Sequence, residues 1–169
     1  MALPPTSILA TRHTALRRSL DEHGVAALIV SHPANLRYLV NHVGTAGLAV
    51  ITRDRVHLLI DFRYQTAMDM LQQSPSACPG LSLRGVPGSY EAALLDCLAE
   101  LELTAVGFEA GHVSVSRHGH WARGLESRGL STRLTATDGL VERGRAIKDE
   151  HEVAALRRAA LGLTAVAET

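Results

Sequence analysis

Two imidazoles at His118 and His120 lie one residue apart in "RHGHW", with His112 close by, and histidines gathered in this way invite a metal-ligand reading. On a helix, however, side chains at i and i+2 diverge, and no carboxylate or thiol stands at a spacing that would complete a first shell. Solvated histidines at a helix end are the competing reading. The acidic run "DEHE" at Asp149 to Glu152 also suggests cation binding. Its residues are equally explained as the first turn of a helix, with Asp149 as cap and Glu152 three residues on as its reciprocal partner. No serine stands in a G-x-S-x-G elbow, and neither Cys78 nor Cys97 has a catalytic context. The glycines of "VGTAG" have the wrong spacing for a phosphate loop and no lysine follows them. Residue types and spacing alone define no active centre.

The elements that would position such groups are easier to read. Ile8, Leu9, Arg12, Leu16 and Leu20 trace one side of a first helix that ends at Gly24. "VAALIVS" has the continuous apolar character of a buried strand, and "HPANLRYLV" reads as a turn into a short helix. "GLAVI" and "VHLLID", separated by "TRDR", form an expected antiparallel pair. "RYQTAMDMLQQ" is helical in composition and "SPSACPG" breaks it. "LSLRGV" is an expected edge strand, followed by a helix over "SYEAALLDCLAEL". "AVGFE" is a second buried strand, "SVSRHGHWARGLES" a helix, and "LSTRLTATD" a last strand. The fold class is therefore α/β, a mixed sheet flanked by helices. Beyond "GLVERGRAIKDE", Val153, Leu156, Ala160, Leu163 and Val166 recur at helical spacing, an apolar stripe in need of a surface to cover.

Composition narrows the function classes. The chain has 169 residues, 46% of them hydrophobic and 20% charged, which suits a globular fold with a real core. The 17 basic residues balance 17 acidic ones, so the surplus of cations that nucleic acid or an anionic membrane would need is absent. Lys148 is the only lysine. Two cysteines cannot build a disulfide framework and read as reduced thiols. No apolar run is long enough to cross a bilayer, no signal-peptide core is visible, and the expected compartment is the cytoplasm.

Taken in order, several segments resemble the N-terminal domain of the creatinase, prolidase and Xaa-Pro aminopeptidase family, the M24B-type metallopeptidases. "ANLRYLVNHVGTAGLAVIT", "LLIDFRYQTAM", "VGFEAG" and "LVERGRAIKDEHEVAALRRAA" each resemble a family motif in the same sequence over nearly the whole chain. The resemblance implies an α/β domain over residues 1–140, a linker over 141–148, and at 149–169 the first helix of a "pita-bread" catalytic domain whose body is missing here. It places Asn35, Arg37, Tyr38, Glu109, Arg145 and Lys148 at structural motif positions. It implies that Asn41, His42, Gly44, Asp61, Arg63 and Tyr64 lie near a substrate entrance or subunit interface. Asp61 and Arg63 read equally as an internal ion pair, and Tyr38 and Tyr64 as core residues with hydrogen-bonded tips.

No cofactor is expected in this chain. The divalent ions the resemblance implies (manganese, cobalt or zinc) would be held by two aspartates, a histidine and two glutamates of the catalytic domain, so the chain by itself is expected to be inactive. Implied partners are a second copy of the chain or an M24-type catalytic domain, with peptides as the substrate of the parent enzyme and neither nucleic acid nor membrane. Asn41-His42 stand where the family commonly has glycine-phenylalanine, which leaves the substrate class open. A stand-alone dimerisation module, or the same domain of a creatinase-like amidinohydrolase, are the alternative readings. If the catalytic body is missing, the final helix is expected to be poorly protected.

Overall fold

The computed structural model describes residues 3–167. The chain follows the order α1 (Thr6–Glu22), β1 (Ala27–Val30), α2 (Pro33–Val40), β2 (Leu48–Thr52), β3 (Val56–Ile60), α3 (Phe62–Gln72), β4 (Leu81–Gly85), α4 (Tyr90–Leu101), β5 (Ala105–Glu109), α5 (Val115–Ser127), β6 (Arg133–Thr137), α6 (Leu140–Ala146) and α7 (Glu150–Ala167). Six strands make one sheet in the order β4-β3-β2-β1-β5-β6. β2 is antiparallel to both its neighbours, whereas β3–β4, β1–β5 and β5–β6 pair parallel. The expected mixed sheet is present, with "LSLRG" at one edge and "RLTAT" at the other.

The central strands are apolar throughout because both of their faces are covered. Along β1, Leu28 and Val30 face a core shared with Leu9, Leu16, Leu36, Met68 and Leu140. Ala27 and Ile29 point to the other face, against Leu94, Leu98, Trp121 and Leu125. Helices α1, α2, α3 and α6 thus cover one side, and α4 and α5 the other. The two thiols are divided by the sheet: Cys78 belongs to the first core and Cys97 to the second, both buried. Burial pushes their thiol pKa values up, to about 12 for Cys78 and about 11 for Cys97.

Local chemistry sets the helix ends. Pro33 opens α2 behind a His32 cap, Asn41 closes it in the left-handed region at φ 61°, and Asp61, Ser89 and Ser114 cap α3, α4 and α5. The segment expected to be a linker over 141–148 is largely helical. α6 covers Leu140–Ala146, and Leu140 and Val141 are buried in the first core. Its glycine and its three charged side chains, Glu142, Arg143 and Arg145, hide that anchor from a reading of composition.

The capping box at Asp149 forms as expected. The Glu152 amide donates to Asp149 Oδ1 at 2.9 Å and the Asp149 amide donates to Glu152 Oε2 at 3.2 Å. Leu156, Leu161 and Leu163 are 58, 72 and 72% exposed along α7. The Val166 side chain and residues 168–169 lie outside the described part of the chain. Replacing Asp149 with alanine should lower the local stability of the first turn of α7 by about 2 kcal/mol, read as faster amide exchange there. Asp149→Asn, which retains a capping oxygen, should lose less.

Candidate functional site

Because β1, β3, β4, β5 and β6 run in one direction, their carboxyl ends and the loop entering β2 gather at one edge of the sheet. The connections part between β1 and β5: the chain leaves β1 toward β2 and leaves β5 toward β6. Open α/β sheets usually receive ligands at such a switch point, where helix N-termini present free amides. Here the position is taken by the protein's own Glu109, at the end of β5 and buried. Glu109 Oε2 accepts from the Ser31 amide at 2.6 Å, the Ser31 hydroxyl at 3.2 Å and the His32 amide at 2.8 Å. Asn35 Nδ2 donates to Glu109 Oε1 at 2.6 Å and to Glu142 Oε1 at 2.5 Å, while Arg145 donates to Asn35 Oδ1 at 2.9 Å.

Three of the motif positions read from the sequence, Asn35, Glu109 and Arg145, are therefore members of one network. Ser31, His32 and Glu142 complete it and were not singled out by their spacing. Burial would raise the Glu142 carboxyl pKa, but the Asn35 bond and the nearby Arg145 hold it below the usual carboxylate range. Lys148 is exposed and its Nζ donates to the Arg145 carbonyl, closing the end of α6. Arg37 is exposed beside the groove between α2 and α7.

A second cluster lies on the same edge. Asn41 Nδ2 donates to the carbonyls of Pro4 and Ser76 at 3.0 and 2.9 Å, tying three segments together. The loop from 41 to 47 winds about the His42 ring, which is 2% exposed and donates from Nε2 to the Ala46 carbonyl at 2.8 Å. Tyr64 meets that ring edge-on at 5.1 Å, and its hydroxyl shares a 2.9 Å bond with Thr45. A Cβ on Gly44 would stand 2.6 Å from the His42 ring and 2.7 Å from Tyr64, so no side chain fits there.

Asp61 caps α3, pairs with Arg63 at 2.8 Å and accepts from the Tyr90 hydroxyl at 2.8 Å. The Arg63 bonds keep the Asp61 carboxyl well below the usual range, and burial together with the Asp61 bond pushes Tyr90 up to about 12. All six residues expected at an entrance or interface are thus brought together. The ion pair is not internal, since Arg63 is 57% exposed. Beside them Val43 and Phe62 are 64% and 87% exposed.

The third polar group is one the sequence placed only in an apolar stripe. Arg12 is buried on α1, and its Nη2 and Nε donate to Asp149 Oδ2 at 2.5 and 3.1 Å. Its Nη1 donates to the Tyr38 carbonyl at 2.7 Å, Glu152 lies 3.5 Å away, and the guanidinium stacks 3.9 Å over the Tyr38 ring. Tyr38 is thus a half-buried platform for a cation. Burial alone would raise the Asp149 pKa; the bonds from the Glu152 amide and Arg12 outweigh it and hold the carboxyl low.

The histidines do not converge. His32 meets His112 edge-on at 4.7 Å, His118 packs on Phe108 at 4.9 Å, and His120 is exposed. Among the described residues no group of three or more His, Cys, Asp or Glu is arranged to hold a metal ion. The described residues do not fit a metal centre. No helix among the described residues is long and apolar enough to cross a membrane.

Known proteins give this geometry its class. Residues 12–147 match the family described as the creatinase/prolidase N-terminal domain, and the chain belongs to that family. An uncharacterized peptidase of Bacillus subtilis (strain 168), YqhT, is 25% identical over 145 residues, 86% of this chain and 38% of that protein. The Xaa-Pro dipeptidase from Bacillus anthracis superposes with a TM-score of 0.72 at 25% identity, over 86% of this chain and 38% of that one. The N-terminal domain of the cytoplasmic peptidase PepQ from Mycobacterium tuberculosis H37Rv gives 0.66 at 27% identity, over 79% of this chain and 97% of that one. The chain thus spans 38% of the length of the first two and matches an isolated N-terminal domain almost end to end.

Glu109 is the member on which the first network depends. Glu109→Gln should lower global stability by about 3 kcal/mol in urea unfolding, because an amide cannot accept from all of these donors at once.

Proposed function

We propose that this chain is the non-catalytic, assembly and entrance-forming domain of a metal-dependent Xaa-Pro peptidase of the cytoplasm. It works beside a catalytic domain that holds divalent ions, manganese, cobalt or zinc, and the pair cleaves peptides at Xaa-Pro bonds. The observation that carries this reading is the family match over residues 12–147 combined with coverage of only 38% of an Xaa-Pro dipeptidase. In this reading residues 1–140 are the domain proper. The helix from Asp149 is the first of the catalytic domain, which would cover Leu156, Leu161 and Leu163, and α6 joins the two.

The loop from 41 to 47 and the Asp61–Tyr64 turn form the surface turned toward the entrance or toward a second subunit. Val43 and Phe62 support that role, since large apolar side chains exposed on this loop and this turn favour contact with another surface. Asn41, Gly44, Asp61, Arg63 and Tyr64 fix its shape, with His42 as its internal pin.

Pure 169-residue chain supplied with manganese, cobalt or zinc should release no product from an Xaa-Pro dipeptide. The natural reading frame, followed past the codon for Thr169, should encode the two aspartates, the histidine and the two glutamates of the family's metal centre. Turnover by the chain alone, or a stop codon at that point, would overturn the proposal, and the stop codon would favour a stand-alone dimerisation module. In sedimentation experiments Phe62→Asp should shift the chain toward monomer; an unchanged profile removes Phe62 from any subunit interface.

A further inference from the structure

The loop between α2 and β2 is built around a titratable ring. His42 is 2% exposed inside it, with Gly44 and Gly47 closing on the imidazole: a Cβ at Gly47 would stand 3.1 Å from Nε2, and one at Gly44 2.6 Å from it. One hydrogen bond, from Nε2 to the Ala46 carbonyl, joins the ring to the far side of the loop. From α3 the Tyr64 ring closes the remaining side, and its hydroxyl ties back to Thr45. The loop, the ring and the first turn of α3 therefore pack as one unit.

The surroundings favour a neutral ring. From α3 the charged or titratable neighbours are Asp61, Arg63 and Tyr64; from α4 there is Tyr90, bound to Asp61; α2 contributes the apolar Leu36 beside Gly47. Asp61 is the one acidic group among them, and it is already engaged by Arg63 and by the Tyr90 hydroxyl. Burial lowers the His42 pKa from its ordinary value, while the Ala46 bond and Asp61 oppose that effect without cancelling it.

We propose that the loop from 41 to 47 is a proton-operated latch: it is closed over a neutral His42 and opens when the ring takes up a second proton and must reach water. The inference concerns the loop itself and does not depend on what the loop faces.

The direction follows from linkage. The ring binds its proton more tightly in the open loop than in the closed one, so closure is unaffected above the ordinary imidazole range. It is lost progressively as pH falls below about 6.5. Between the two pKa values the open fraction rises about tenfold for each pH unit of acidification.

The test uses the 169-residue chain. Nuclear magnetic resonance follows the His42 ring while amide exchange, corrected for its intrinsic pH dependence, is read at residues 43–47 between pH 7.5 and 5. His42 should titrate below 6.5, and the loop amides should lose protection with the same midpoint while the β1 and β5 amides hold theirs. In His42→Phe the loop protection, whatever its absolute level, should not change with pH. A ring that titrates at or above 6.5, loop amides indifferent to acid, or an acid response that survives in His42→Phe would each overturn the latch. Should the phenylalanine variant fail to fold, the wild-type titration alone decides between these outcomes.

Discussion

A buried carboxylate has to be satisfied completely or not buried at all, and Glu109 shows how much of this fold follows from that requirement. It ends β5, collects two backbone amides from the turn after β1, and reaches α6 through Asn35. Strand pairing, the entry angle of α2 and the docking of α6 are thereby set by the donors around one side chain. The same arrangement fills a position that a ligand-binding topology usually keeps for an outside anion. The anion is covalently part of the chain.

Arg12 applies the same rule with the opposite charge. A guanidinium sealed between α1 and α2 needs an acceptor, and Asp149 and Glu152 supply it from a helix more than a hundred residues away in sequence. The start of α7 is fixed to the α/β body by this contact, together with the ring of Tyr38 beneath it. Farther along α7, Leu156, Leu161 and Leu163 are exposed. A helix fixed at its root and exposing apolar side chains beyond it is suited to meet another surface at a defined angle.

Where burial is periodic and local, the sequence was readable. The apolar runs of β1, β2, β3 and β5, the turn between β2 and β3, and the capping box at Asp149 all announce themselves within a few residues. α6 did not, because its buried apolar residues are only Leu140 and Val141 and the next residues read as a charged connection. The partners of Arg12 were equally hidden, since an arginine in an apolar stripe says that an acid must come from somewhere but not from where. Family resemblance flagged Asn35, Glu109 and Arg145, yet nothing in their spacing shows that they meet, or that Glu142 joins them. The enclosure of His42 depends on Tyr64 and on two glycines, a conjunction visible only in three dimensions.

The separation of Cys78 from Cys97 by the full thickness of the sheet has a consequence of its own. Neither thiol ionises readily while enclosed, and they cannot meet without dismantling the strands between them. Each is therefore a private clock for one side of the protein. The rate at which a small alkylating reagent reaches Cys78 times the loosening of the α1–α3 layer, and the rate at Cys97 times that of the α4–α5 layer. Whether the two layers breathe together or separately can be read from a single labelling experiment.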